Sequence, residues 1–171
     1  MVRTVLTVML MVLFIGCSSG TGTGSGQQDN ISVTKQNAKQ FLDMWFEEYA
    51  YFQRTYLSQI REDMVLEIEG NKSGVGVITF NGEVLTVFLD NFSSFGKLYL
   101  TGGEEFNSLY DFLPFVRDIK GRYDIEGKFK GTLIYQLQIS TNDFESFEID
   151  GIVTIGSLDI SQDFFNRMMS Y

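Results

Sequence analysis

The chain has 171 residues, 44% of them hydrophobic and 20% charged, enough for one ordinary domain plus terminal segments. Thirteen Lys and Arg against 22 Asp and Glu, with no His, give a net charge of −9. That balance leaves no basic footprint for a nucleic acid, and it removes the usual general base and the commonest metal ligand. A single Cys excludes an internal disulfide or a thiolate metal cage, so no cofactor is expected.

Met1-Val2-Arg3 is a short cationic start, followed by the apolar run Val5 to Ile15, broken only by Thr7. Eleven residues are too few for a bilayer core of about 30 Å, which needs about 20, so the run reads as a secretory signal segment over residues 1–16. Leu13-Phe14-Ile15-Gly16-Cys17 resembles the lipobox of bacterial lipoproteins, in which a Cys directly after a small residue is acylated and becomes the mature N-terminus. Phe14 stands where that family prefers Leu, and Leu13 lies one step further back. The resemblance implies cleavage between Gly16 and Cys17, lipidation of Cys17 with a palmitate-type chain, and export to the cell envelope with a membrane anchor. Ser18 would then permit sorting to the outer membrane where the cell has one.

Cys17 is followed by SSGTGTGSG and a polar stretch, so residues 17–32 read as the lipidated Cys and a linker, flexible over 18–30 because so little apolar surface cannot offset the entropy of ordering. Loss of Arg3 with the signal leaves 12 basic and 22 acidic residues, and a head of that charge is expected to be repelled by anionic lipid.

Residues 33–171 read as a single α+β domain. Ala38, Phe41, Trp45, Tyr49, Phe52, Tyr56 and Ile60 fall at steps of three and four, which predicts an amphipathic helix over about 34–61 with Thr34 as N-cap and Val33 stapling to Ala38. Seven aromatics between Phe41 and Tyr56 exceed one stripe. Core packing explains them most simply, and an aromatic platform is the alternative. A surface for a ligand or partner would draw on Trp45, Tyr49, Phe52, Phe92 and Phe144.

Period-two alternation takes over at Met64, Leu66 and Ile68. A turn at Gly70 to Gly74, a strand Val75 to Phe80, an Asn81-Gly82 hairpin signal, a returning strand Val84 to Leu89 and a strand Lys97 to Thr101 closed by Gly102-Gly103 predict a four-stranded meander over about 62–103. Phe106, Leu109, Tyr110 and Leu113 predict a short helix over 104–113, ended by Pro114. A second β-unit follows over about 119–160, in which Leu133, Tyr135, Leu137 and Ile139 alternate against Phe147, Ile149, Gly151, Val153 and Ile155. Ser161 is the expected cap of a last short helix over Gln162 to Met169. Ile68 to Gly74 matches Ile125 to Gly131, and Asp90 to Phe95 matches Asn142 to Phe147, which suggests a duplicated β-meander. The expected architecture is an N-terminal amphipathic helix packed on a curled, mainly antiparallel sheet, a partly open barrel with short accessory helices.

No nucleophile elbow, phosphate loop or zinc spacing is present, and the acidic pairs Glu67/Glu69, Glu104/Glu105 and Asp143/Glu145 each have a plain structural role. Asp90-Asn91 and Asn142-Asp143 have too few alternate carboxylates for a Ca²⁺ loop and read as Asx turns. No enzyme and no metal are expected. The preferred function is a lipid-anchored envelope protein whose β-rich head meets another envelope protein or fills a structural role. The alternatives are a lipocalin-like carrier of a hydrophobic small molecule, which would need a cavity inside the sheet, and a secreted hydrolase with two converging carboxylates.

Overall fold

A computed structural model describes residues 30–107, 115–142 and 146–170. Gly16, Cys17 and the whole lipobox-like segment lie outside the described residues, as does Phe144. The chain forms mainly one antiparallel sheet, with one long and one short helix. In chain order the elements are β1 (Ile31–Ser32), α1 (Ala38–Thr55), a 3₁₀ turn (Leu57–Gln59), β2 (Met64–Glu69), β3 (Ser73–Phe80), β4 (Val84–Ser93), β5 (Leu98–Asn107), β6 (Phe115–Gly127), β7 (Phe129–Thr141), β8 (Glu148–Ile155), β9 (Leu158–Asp159) and α2 (Ser161–Met168). Strands β2 to β9 pair each with the next, and β1 adds to β7 in parallel. The end strands β2 and β9 do not meet, so the sheet is not closed.

Alternation decides which side of the sheet is buried. Ile78, Val87, Leu100, Ile119, Tyr123, Leu133, Tyr135 and Val153 point to one face and are all buried. Val65, Phe88, Ile134 and Ile152 point to the other and are exposed. The predicted four-strand meander is present as β2 to β5.

Several boundaries differ from expectation, each for a local reason. Ile31 and Ser32, expected in the linker, pair with Phe129 and Lys130. Thr34 does not cap α1: Asn37 stands at the N-cap position, accepts from the Thr34 N–H at 2.7 Å and donates to the Ser32 carbonyl at 3.2 Å. The helix therefore starts later and stops at Thr55, where a 3₁₀ turn takes over. The Asn81-Gly82 turn puts only Gly82 at positive φ (90°). The Asn81 side chain instead accepts from the N–H groups of Glu83 at 3.0 Å and Val84 at 2.8 Å.

The helix expected over 104–113 is wrong where it can be checked. Glu104 to Asn107 belong to β5 and pair with both β4 and β6, while residues 108–114 lie outside the described set. Gly102-Gly103 reads as a strand terminator, yet it sits in mid-strand. A side chain at Gly102 would put its Cβ 2.1 Å from the Arg122 carbonyl oxygen, so glycine is what allows the close approach. At the C-terminus the helix is as expected, but Ile160 holds the N-cap position and the Ser161 hydroxyl turns to Asp159 at 2.6 Å.

The matched segments do not build a repeated unit. Both copies of the first match form a hairpin turn, between β2 and β3 and between β6 and β7. The second match closes β4 in the first half, two strands on, but follows β7 in the second half, one strand on. One fewer reversal sends the chain to the opposite end of the sheet, so similar turns occupy unlike places.

Candidate functional site

Register builds the centre of the molecule. Across the buried face Val87, Glu104, Gly121 and Tyr135 are consecutive cross-strand partners on β4, β5, β6 and β7. Because Gly121 carries no side chain, the Tyr135 ring lies across it, and a Cβ there would fall 2.1 Å from the ring Cζ. The phenol thus reaches past one strand and donates to Glu104 Oε2. From α1, the Tyr49 hydroxyl donates to the same oxygen at 3.0 Å. Tyr123 lies one residue pair away, opposite Gly102, with its ring 6.4 Å from that of Tyr135 and 5.4 Å from that of Trp45. Trp45 and Tyr49, one helical turn apart, are stacked at 5.8 Å. The result is a carboxyl group enclosed by three phenols and an indole.

Electrostatics follow from the burial. Glu104 is 4% exposed, and removal from water raises its pKa to about 7, against the opposing pull of hydrogen bonds from Tyr135, Tyr49 and Tyr123. Burial first, and the Glu104 carboxyl second, push the hydroxyls of Tyr49, Tyr123 and Tyr135 well above the usual phenol range, so all three remain donors at neutral pH. Glu104 Oε1 is buried without a hydrogen-bond partner. A second enclosed acid, Glu48 on α1, accepts from the N–H groups of Ser94 and Phe95, the latter at 3.3 Å, and burial raises its pKa despite those bonds.

A carboxyl with a pKa near 7 has the proton affinity of a general acid. Its neighbour Glu105 points to the opposite face of β5, since successive strand residues alternate, so the two acids do not converge. Glu67 and Glu69 stand exposed on β2. No group of three His, Cys, Asp or Glu among the described residues could hold a metal. Two hydroxyls, of Tyr49 and Tyr135, share one acceptor, Glu104 Oε2.

The residues expected to form a ligand or partner surface are placed otherwise. Trp45, Phe52 and Phe92 are 1%, 3% and 0% exposed, enclosed by one another and by Tyr56 and Tyr123, and so belong to the core. Tyr49 is half-buried with its hydroxyl committed to Glu104. Sequence reasoning gave Glu104 a plain structural role and did not single out Tyr123. The signal was available: Leu98, Leu100, Gly102, Glu104 and Phe106 keep period two through the glycines.

The exposed face offers a different feature. Gly103 leaves a gap between Phe88 and Arg122, its partners on β4 and β6. There an open depression of about 530 Å³ is lined by Thr86, Lys120 and Gln136 of this face and also by Glu104, Gly121 and Tyr135 of the cluster. Phe88 (57% exposed), Ile134 (41%) and Ile152 (63%) stand around it. No described helix is long and apolar enough to cross a membrane. Comparison with protein-family models, curated proteins and solved structures finds no match to this chain.

Proposed function

We propose that this protein is a lipid-anchored component of a bacterial cell envelope whose β-rich head is a non-catalytic module for contact with another envelope protein. In this reading α1 is seated across the concave side of a curled, partly open half-barrel, and α2 docks beside it. The rings Phe41 and Phe129 (5.9 Å), Phe46 and Phe164 (5.0 Å), and Tyr135 and Phe164 (6.2 Å) fill the space that a carried ligand would need. That filling favours an interaction module over a lipocalin-like carrier.

The observation that carries the proposal is the exposed face. Phe88, Ile134 and Ile152 lie on a sheet surface with Arg122 and Lys120 between them, around the gap left by Gly103. Exposed large apolar side chains grouped on one face with an arginine beside them fit a protein contact surface, where aromatic residues and Arg are enriched. The anchor rests on the lipobox-like run ending in Cys17, which implies an acylated N-terminus.

The test is a photo-crosslinking residue in place of Phe88 in the full chain, expressed in its own host. A discrete adduct with one envelope protein is expected. No adduct, together with a lipid or other small molecule retained in native mass spectrometry, would replace this reading with the carrier. Cys17→Ser should move the protein from the membrane to the soluble fraction, and continued membrane association would make the signal segment or the head the anchor.

A further inference from the structure

We propose that the end of the head from which the chain runs back toward Cys17 is a docking surface for an anionic lipid bilayer. The proposal rests on the lipid-anchor reading for the position of the head, but not for the surface itself.

Hydrogen bonding puts the start of the fold among lysines. The Asn30 N–H donates to the Gly127 carbonyl and the Ile31 N–H to the Lys128 carbonyl, both at 3.0 Å, and Ser32 pairs with Lys130. The Lys128 N–H donates to the Lys97 carbonyl at 3.0 Å, which brings the β6–β7 turn against the β4–β5 loop. The Lys72 N–H donates to the Ser93 carbonyl at 3.0 Å, which adds the β2–β3 turn to the same end. Lys35 follows β1 by three residues. Lys35, Lys72 and Lys130 are exposed and Lys128 is half-exposed, and none of the four pairs with a carboxylate among the described residues.

Two apolar side chains stand at this same end. Phe95 is 37% exposed at the tip of the β4–β5 loop, with the Lys97 ammonium 6.0 Å from its ring centre, and Ile31 is 43% exposed beside Lys128. The Phe95 loop is held in place: Glu48 accepts the N–H groups of Ser94 and Phe95, and the Gly96 N–H donates to the Ser93 hydroxyl at 2.8 Å. A part-exposed ring on a fixed loop, packed on Tyr51 at 5.4 Å and with one ammonium near it and further lysines on the adjoining turns, suits the interfacial zone of a bilayer, where aromatic residues sit at headgroup depth and lysines meet phosphate.

The net negative charge is unevenly spread, and this end, where lysines offset the carboxylates, carries the smaller part of it. Glu62, Asp63, Glu83, Asp118, Glu148 and Asp150 lie at the other end of the strands, exposed near the β3–β4 turn, the start of β2 and the ends of β6 to β8. Strands of 8 to 13 residues at about 3.3 Å each separate the ends by roughly 25–40 Å, several times the screening length of about 8 Å at physiological salt. At the lysine end Glu47 is occupied by Lys97 at 2.9 Å, while Glu69, Asp90, Asp124 and Glu126 lie beside the turns and offset the lysines. In the lipid-anchor reading the linker holds this end at an average of about 20 Å from the lipidated residue, so a weak attraction suffices to orient the head.

The test uses the full-length protein purified from its host and placed in vesicles of phosphatidylcholine, with or without one-third phosphatidylglycerol. Amine acetylation is followed residue by residue. With phosphatidylglycerol, labelling of Lys72, Lys128 and Lys130 should slow by about threefold or more, that of Lys120 on the sheet face should not change, and high salt should abolish the difference. Equal rates in the two vesicle types, with the protein still vesicle-bound, would overturn docking. Slowing by a soluble polyanion but not by phosphatidylglycerol would overturn it in favour of a polymer ligand. An intact mass showing no acyl chain on Cys17 would sink the anchor reading alone, since the same labelling with vesicles added to that chain still decides docking.

Discussion

Replacing Glu104 by Gln isolates the energetic consequence of the buried carboxyl. In the folded protein the group titrates near pH 7, and in the unfolded chain near the ordinary 4.5. Between those values the unfolded chain has released a proton that the folded protein still holds, so unfolding gains free energy as pH rises. Stability contributed by this group is complete below about pH 4.5, falls through the interval and is lost above about pH 7. A shift of that size corresponds to about 3 kcal/mol at 1.36 kcal/mol per pKa unit. Gln has the same shape and accepts from Tyr49 and Tyr135 but never ionises. Relative to the parent, Glu104→Gln should therefore gain about 3 kcal/mol between pH 4.5 and pH 7.5. Glu48 has the same sign and Asp159, with its lowered pKa, the opposite one, but both are unchanged in the variant and cancel in the difference. Urea unfolding followed by the fluorescence of Trp45, the single tryptophan and 1% exposed, reads this as a relative midpoint shift of roughly 1–3 M. A difference constant within about 0.5 kcal/mol over that pH range would refute the assignment of a protonated Glu104 to the folded state.

Other consequences follow from the same cluster and from the chain ends. Gly121→Ala would place a methyl 2.1 Å from the Tyr135 ring and push its phenol off Glu104; a loss of about 2–4 kcal/mol is expected by thermal unfolding, and an unchanged Tm would refute the crossing. Trp45→Ala should destabilise by about 3–5 kcal/mol, whereas a change within about 0.5 kcal/mol would place the indole at the surface. Removing residues 18–29 should leave denaturant unfolding unchanged, while extending the deletion through Ser32 removes the β1–β7 pairing and should lower stability measurably.

What was legible in the sequence was whatever depends on neighbours along the chain. The apolar spacing from Ala38 to Phe52 specifies a helix, and the alternation of Leu133, Tyr135, Leu137 and Ile139 specifies a strand with one buried face, whatever lies against them. The expected signal segment and Gly/Ser/Thr linker are likewise read from local composition, and both fall almost wholly outside the described residues. The limits of the elements were less legible, because caps and turns depend on side chains several residues away, as with Asn37 in place of Thr34.

The candidate site was not legible, because cross-strand register creates it. Whether Glu104 meets water or three phenols depends on β5 continuing through Gly102-Gly103, and on Gly121 standing between Glu104 and Tyr135. Read along the chain, Glu104-Glu105 looks like a polar helix start and two glycines look like an ending. Read across the sheet, the glycines are the places where a ring or a carbonyl needs room, and the glutamate is the acceptor those rings converge on. The distribution of charge has the same origin. Composition gives one negative total, but antiparallel pairing brings the lysine-bearing turns together at one end, because each reversal returns the chain to the end it left two strands before.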